Sequence, residues 1–407
     1  MKQIQGGITA AKGFQAAGVE AAIKYRNRKD MALIYSEVPC VAAGTFTTNV
    51  VKAAPVLWDQ RIVKESPYVQ AVVVNSGIAN ACTGKEGLDC CAAESRCAGE
   101  QLGIPETSIL VASTGVIGMQ IPVDRITEGI RKLAAAKSDT PEAGTDAAKA
   151  IMTTDTVEKQ IAVTFEIDGK TVTLGGMCKG SGMIHPNMCT MLGFLTTDVK
   201  ISGRMLQKAL SADVVDSFNM ISVDGDTSTN DTLLILANGL AGNEEIVSEG
   251  KNYDAFCEAL RFVTTYLARK MAGDGEGATA LFETKVIGAA SKEDARTLAK
   301  SVICSSLTKA AIFGHDANWG RILCALGYSG VPFEPENVDL WFQSVSGRIH
   351  IYGNGVACDY SEEEATKILS DSEVTVLVDM HMGEQEATAW GCDLSYDYVK
   401  INADYRS

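Results

Sequence analysis

The side chains best suited to acyl chemistry lie in one Gly- and Pro-bounded segment, Lys179-Gly180-Ser181-Gly182-Met183-Ile184-His185-Pro186-Asn187-Met188-Cys189-Thr190, with the apolar run Met191-Leu192-Gly193-Phe194-Leu195 directly after it. A threonine hydroxyl is a weak nucleophile until a base stands beside it, and one such base is the residue's own free α-amino group. That amine exists only if the Cys189–Thr190 bond is broken. The pattern points to a chain that cuts itself: Thr190 Oγ attacks the preceding carbonyl, the acyl group shifts from N to O, and water opens the ester. Cys189 is small enough to leave that approach open. The bland alternative is a threonine that caps the apolar run. A second alternative makes Cys189 the nucleophile, since thiols are intrinsically better. Cutting at 189–190 would leave that cysteine as a C terminus, on the wrong side of the new amine.

Two further segments carry groups that such a nucleophile needs. Ser113-Thr114-Gly115-Val116-Ile117-Gly118 follows a strand-like run. A glycine there exposes backbone N–H groups with no Cβ in the way, and the Thr114 hydroxyl adds a donor, so Thr114 and Gly115 suit an oxyanion hole. The alternative is a plain strand-to-loop turn. Gly273-Asp274-Gly275-Glu276-Gly277-Ala278-Thr279 lacks the spacing of a dinucleotide loop. Glu276, held between glycines, suits an ammonium group, or else it is a solvated acidic turn. Lys179, eleven residues before Thr190, can act as a point charge for a substrate carboxylate or be an ordinary surface lysine. Ser222 to Thr232 imitates a calcium loop but, counted from Asp224, has Thr229 at the sixth place and Ile235 at the twelfth, which excludes that reading. Four scattered histidines, His185, His315, His350 and His381, give no zinc-like spacing, so no metal is expected. His350 alternates within a strand-like stretch and reads as structural.

The elements that would carry these segments are mixed. Apolar runs at 71–74, 109–111, 161–165, 233–236 and 374–378 read as strands, and Thr171 to Leu174 follows an Asp168-Gly169 turn, so 161–174 reads as a β-hairpin. Helical periodicity covers 123–136, 253–272, 291–305 and 361–369, the last opening with the capping pattern Ser361-Glu362-Glu363-Glu364. Residues 135–146, rich in small and polar side chains, read as an exposed loop. Strands sit in hairpins as well as between helices, so the expected class is α/β in the α+β sense: layered mixed sheets with outer helices.

Composition narrows the function. A net charge of −15 over 407 residues argues against nucleic acid and anionic lipid. The start, Met1-Lys2-Gln3-Ile4-Gln5-Gly6-Gly7, lacks a signal-peptide core, and no run approaches the ~18 apolar residues of a membrane span. Twelve scattered cysteines without a C-x-x-C pair read as buried free thiols of a reducing, cytoplasmic protein.

Taken together in order, these blocks resemble the ornithine acetyltransferases of arginine biosynthesis, also called bifunctional glutamate N-acetyltransferases. The match runs through Gly44 to Asn49, Val74 to Gly77, Ala79 to Gly84, Ser113 to Gly115, Lys179 to Ile184, Pro186 to Met188, Thr190 to Leu192, Ser222 to Thr232, Gly273 to Thr279, Asn318 to Ile322, Ala387 to Leu394 and the tail. The resemblance implies that Thr190 is first the self-cleavage residue at the Cys189–Thr190 bond and then the acetyl-accepting nucleophile. It implies that Thr114 and Gly115 form the oxyanion hole, and that Thr153, Lys179, Thr190, Glu276, Asn402 and Ser407 bind substrate. The implied reaction moves acetyl from N2-acetylornithine to glutamate, with no cofactor and with acetyl-CoA left open as a further substrate. A hydrolytic N-terminal-Thr aminopeptidase or amidase is the rival. The family fold implies a main catalytic domain over 1–280, a smaller C-terminal domain over 281–395 and a returning tail over 396–407. It also implies fragments 1–189 and 190–407 that stay together, in a heterotetramer of two α and two β chains. This chain departs from the family pattern at His185 and Cys189, where Ala is usual, at Ala317 in place of Pro, and at Ser407 in place of Thr. His185 adds a titratable group beside the cut and is a candidate general base.

Overall fold

The computed structural model describes residues 1–185 and 191–404. They divide into two compact units: 1–180, 191–218 and 227–267 form the first, and 181–185, 219–226 and 268–404 the second.

The first unit is built on a nine-stranded sheet. Its strands are β1 (Lys2–Ile4), β2 (Phe14–Val19), β3 (Met31–Phe46), β4 (Val69–Ile78), β5 (Ile109–Val116), β6 (Lys159–Ile167), β7 (Lys170–Lys179), β8 (Leu192–Thr197) and, after the two-residue β9 (Ile221–Ser222) of the second unit, β10 (Thr232–Ala237). The order is β1-β6-β7-β8-β10-β3-β4-β5, with β2 laid against the first half of β3. Two pairings, β8 with β10 and β4 with β5, are parallel, and the others are antiparallel. The hairpin of β6 and β7 turns through Asp168 and Gly169, both with positive φ (50° and 73°), as a two-residue turn of primed type requires.

Period-two alternation assigns the two faces of the β3–β5 region. Ala32, Ile34, Val72, Val74, Leu110 and Ala112 enter one core with Ala147, Ala148 and Ala150 of the helix Pro141–Ala150. Met31, Leu33, Ala71, Val73 and Ile109 enter the other, with Cys97 and Ala98 of the helix Gly84–Leu102 and Ile126, Ile130 and Leu133 of the helix Val123–Ala136. Helices therefore cover both faces, and the sheet is mixed, as the sequence pattern implied. The helix Pro141–Ala150 corrects the expected loop over 135–146. Thr140 Oγ1 accepts from Ala143 N–H at 3.3 Å, Pro141 opens the first turn, and the alanines pack into the core.

The second unit holds a seven-stranded sheet of β9 with β11 (Leu281–Ala289), β12 (Asp339–Ser344), β13 (Gly347–Gly353), β14 (Val356–Ala357), β15 (Glu373–Asp379) and β16 (Gln385–Cys392). Its order is β14-β13-β12-β15-β11-β16-β9, parallel at β11–β15 and at β16–β9. The helix Lys292–Cys304 is capped by Ser291 and the helix Glu362–Leu369 by Ser361, whose Oγ accepts from Glu364 N–H at 3.2 Å. His350 lies on β13 with Nε2 against Asp339 Oδ1 at 2.8 Å. The described cysteines are free thiols, but Cys82 and Cys324 are exposed, which corrects the expectation that all are buried.

Candidate active site

Thr114 and Gly115 end β5, where it runs parallel to β4 with Ser76 opposite Thr114 and Gly77 opposite Gly115. Both are half-buried. Gly115 has φ +130°, and a Cβ there would lie 2.2 Å from the carbonyl carbon of Gly77, so sterics and backbone conformation both demand glycine. Neutral amides fix the strand end. Ser113 Oγ donates to Asn75 Oδ1 at 2.6 Å, and Asn75 Nδ2 donates to the Ile78 carbonyl at 2.9 Å. Asn230 Nδ2 donates to the carbonyls of Ala79 at 2.6 Å and Ser113 at 2.8 Å, with its own Oδ1 taken by Thr229 Oγ1 at 2.6 Å. Every group named here is uncharged.

Lys179 is the last residue of β7 and is buried. The loop between the helix Pro141–Ala150 and β6 brings Asp155 to it. Asp155 Oδ1 accepts from Lys159 Nζ at 2.7 Å and from Gly180 N–H at 2.7 Å. Its Oδ2 accepts from Thr153 N–H at 3.1 Å and lies 3.7 Å from Lys179 Nζ. The side chains of Asp155 and Lys159 are 0% exposed and that of Lys179 8%. Burial alone would raise the Asp155 carboxyl; the ammonium groups of Lys179 and Lys159 and the Gly180 N–H outweigh it and hold the group well below the usual carboxylate range. One carboxylate thus joins Thr153, Lys179 and Gly180. Asp231, at the entrance to β10, is also buried, with the Met191 N–H, Ser228 and Thr47 around its carboxyl; burial pushes it well above its ordinary value.

In the second unit, hydrogen bonds hold Ser181, Met183, Ile184 and His185. Ser181 Oγ donates to the Asp274 carbonyl at 2.6 Å, and the Ser181 carbonyl accepts from Glu276 N–H at 2.9 Å. Met183 and Ile184 N–H donate to the two oxygens of Asp224 at 2.6 and 2.9 Å. Glu276 is buried, and its Oε2 accepts from Nδ2 of Asn402, on the exposed face of the helix Tyr396–Ala403, at 2.7 Å. A Cβ on Gly182 would fall 2.4 Å from the Glu276 carboxyl, so a side chain there would displace that carboxyl from its present place. His185 Nδ1 sits 3.1 Å from Ser222 Oγ and 3.5 Å from Cys304 Sγ. Burial first, and then the charge of Lys300, push its pKa down to about 4, so the imidazole is neutral near pH 7.

Thr114 and Gly115 thus share one strand end, Thr153 and Lys179 share one carboxylate, and Glu276 and Asn402 share one hydrogen bond. Cys189, Thr190 and Ser407 lie outside the described residues. Asp155, Lys159, Asn75, Asn230 and Asp224 were not singled out by sequence reasoning. For Lys159 a signal existed: a lysine directly before the apolar alternation of β6 begins, four residues after an aspartate. Among the described residues, no group of three or more His, Cys, Asp or Glu side chains is placed to hold a metal, and no helix is long and apolar enough to cross a membrane.

Comparison with known proteins adds an independent line. The model of the ArgJ family matches residues 15–407. The arginine biosynthesis bifunctional protein ArgJ of Symbiobacterium thermophilum is 55% identical over 409 aligned residues, covering 100% of both chains. ArgJ 1 of Clostridium acetobutylicum is 52% identical, covering 98% of this chain and 97% of the relative. A crystal structure of ArgJ from Bacillus halodurans is 45% identical, covers 52% of this chain and 97% of its own, and superposes with a TM-score of 0.49.

Proposed function

The chain belongs to the ArgJ family and is an acyltransferase of arginine biosynthesis, and we propose that it carries acetyl from N2-acetylornithine to glutamate through an acetyl ester on Thr190. Self-cleavage at Cys189–Thr190 frees the Thr190 α-amine. Thr190 Oγ then attacks the acetamide carbonyl while that amine takes the hydroxyl proton; its ordinary pKa of ~8 suits the task near neutrality. The oxyanion is received by Thr114 and Gly115. Collapse expels the α-amine of ornithine, which takes the proton back, and the amine of glutamate attacks the ester to give N-acetylglutamate. Both amino acids present an α-carboxylate, which Lys179 meets as a point charge. Thr153, Glu276, Asn402 and Ser407 bind the remainder of the substrates. No cofactor enters these steps, and acetyl-CoA would serve as an alternative acetyl donor. The working protein would be a cytoplasmic heterotetramer of fragments 1–189 and 190–407, with a catalytic domain over 1–280, a smaller domain over 281–395 and the tail over 396–407.

The observation that carries the acyl-transfer reading is the strand end at Thr114 and Gly115. There a backbone conformation available to glycine is held against Gly77 by a shell of neutral amides, as a preorganised oxyanion site needs. Initial rates at several glutamate concentrations test it. Parallel double-reciprocal lines are expected of a covalent intermediate, and intersecting lines would count against it. If acetate appears faster than glutamate captures the acetyl group, the hydrolytic amidase reading replaces this one.

A further inference from the structure

The second unit holds a cluster that acyl transfer does not use. Cys358 directly follows β14, and its N–H donates to the Ile351 carbonyl of β13 at 3.1 Å. Its thiol lies beside the neighbouring residue of that strand: Cys358 Sγ is 3.5 Å from His350 Nδ1. The other ring nitrogen, Nε2, faces Asp339 Oδ1 at 2.8 Å. The three side chains form a line from thiol to imidazole to carboxylate. Nε2 carries the proton that the carboxylate accepts, so in the neutral ring Nδ1 is the acceptor, and it faces the thiol. Two further contacts fix the line. Trp341 stacks on the imidazole, with centroids 4.8 Å and planes 20° apart. Asp339 Oδ2 lies 2.7 Å from His381 Nε2, so both carboxylate oxygens are held. Gly353 leaves the room this needs, because a Cβ there would lie 2.4 Å from Asp339 Oδ1 and 2.9 Å from His350 Cε1. A nucleophile, a base within reach and a third group orienting that base are the parts that activate a weak nucleophile. Cys358 is partly exposed, which leaves a small molecule a way in.

We propose that Cys358 is a modification site: its thiol, with His350 as base and Asp339 as the residue that orients the base, exchanges with small uncharged disulfides to form a mixed disulfide. Burial and the Asp339 charge push the thiol pKa up, so the step relies on proton removal during attack and not on a standing thiolate. Cys358 Sγ bonds to one sulfur of the disulfide while the S–H proton passes to His350 Nδ1. The S–S bond of the reagent breaks, and the imidazolium returns the proton to the departing thiolate. One thiol and one disulfide enter; one mixed disulfide and one small thiol leave. Asp339 stabilises the imidazolium between the two proton transfers. Partial burial disfavours reagents that carry a charge or much bulk.

The chain supplies its own controls. Cys82 and Cys324 are more exposed than Cys358, and among the described residues neither thiol is bonded to an imidazole. Cys304 Sγ also lies 3.5 Å from a histidine, but Ser222 Oγ stands closer to that His185 Nδ1, at 3.1 Å. The test exposes the purified full-length chain to bis(2-hydroxyethyl) disulfide and follows each cysteine by peptide-level mass spectrometry. Cys358 should gain the adduct first, roughly tenfold or more faster than Cys82 and Cys324, and added dithiothreitol should remove it. His350→Gln should slow Cys358 by roughly 10²-fold, the scale of a positioned general base, and Asp339→Asn by a smaller factor. A variant that merely loosened the sheet edge would bare the thiol and speed its labelling, so a fall in rate is not mimicked by misfolding. If His350→Gln does not fold, the order of the cysteines in the wild type and the Asp339→Asn rate decide. A first adduct on Cys82, Cys324 or Cys304, or a Cys358 rate that His350→Gln leaves unchanged, overturns the proposal.

Discussion

The strand end at Thr114–Gly115 and the cluster around Asp155 lie in the same unit and are built from opposite materials. The first is held by uncharged amides and hydroxyls, Asn75, Ser113 and Asn230, and by a glycine wedged against a carbonyl. The second is held by buried full charges. The difference follows from when the substrate's charge appears. A carboxylate is charged before, during and after reaction, so a standing cation binds ground state and transition state alike and shows in KM. An oxyanion exists only near the transition state. Fixed dipoles that need no counter-charge while they wait stabilise it selectively and show in kcat.

The contrast breaks first at Gly115. Gly115→Ala places a Cβ 2.2 Å from the Gly77 carbonyl carbon and should lower kcat by roughly 10²–10³, the scale of one lost oxyanion donor. Its preference for N2-acetylornithine, a carboxylate, over the α-carboxamide of that donor should stay that of the wild type; a change in preference with kcat intact would mean the two regions are not separate. Lys179→Met should do the reverse, raising KM for N2-acetylornithine roughly tenfold or more with kcat within a few-fold. Asn230→Ala leaves the Ala79 and Ser113 carbonyls without the donor they now share. It should cost about 1–3 kcal/mol of stability for each carbonyl left unpaired, read from denaturant unfolding, and lower kcat without moving the carboxylate preference.

The smallest effect sharpens the rule that charge is kept only where a partner meets it. Glu94, buried with no cation acting on it among the described residues, is pushed up to about 8 by burial, and Asp59 is raised well above its usual value by burial, against the Val111 N–H, with Glu94 adding to the rise. Among the described residues, Glu94 Oε1 and Asp59 Oδ2 lack hydrogen-bond partners. A carboxyl whose folded pKa lies above its unfolded value gives stability that is full below about 4.3 and lost as pH rises to about 8, at up to about 1.4 kcal/mol per pH unit. Glu94→Gln should therefore flatten the fall in melting temperature between pH 5 and 8, relative to wild type. An unchanged slope would mean that Glu94 is ionised in the folded protein.

Much of this contrast was legible as sequence. Ser113-Thr114-Gly115 stood out because a glycine after a strand is a local signal, and the Asp168-Gly169 hairpin and the Ser361 cap were equally local. Asp155 and Lys159 were not legible, because their meaning lies in a third residue, Lys179, brought to them by the pairing of β6 with β7. The helix Pro141–Ala150 was misread for a related reason. Its small side chains look like a loop until Ala147, Ala148 and Ala150 find the sheet, and packing outweighs composition. The pinning of 181–185 by Asp224 and Glu276 joins segments about 40 and 95 residues apart, beyond the reach of any periodicity.

The most direct test is intact-mass and peptide-level mass spectrometry of the purified protein before and after N2-acetylornithine. The account predicts two fragments ending and starting at Cys189 and Thr190, with one acetyl group gained on Thr190 of the second and lost again when glutamate is added. An active preparation that keeps the 189–190 bond, or an acetyl group mapped to another side chain, would contradict it.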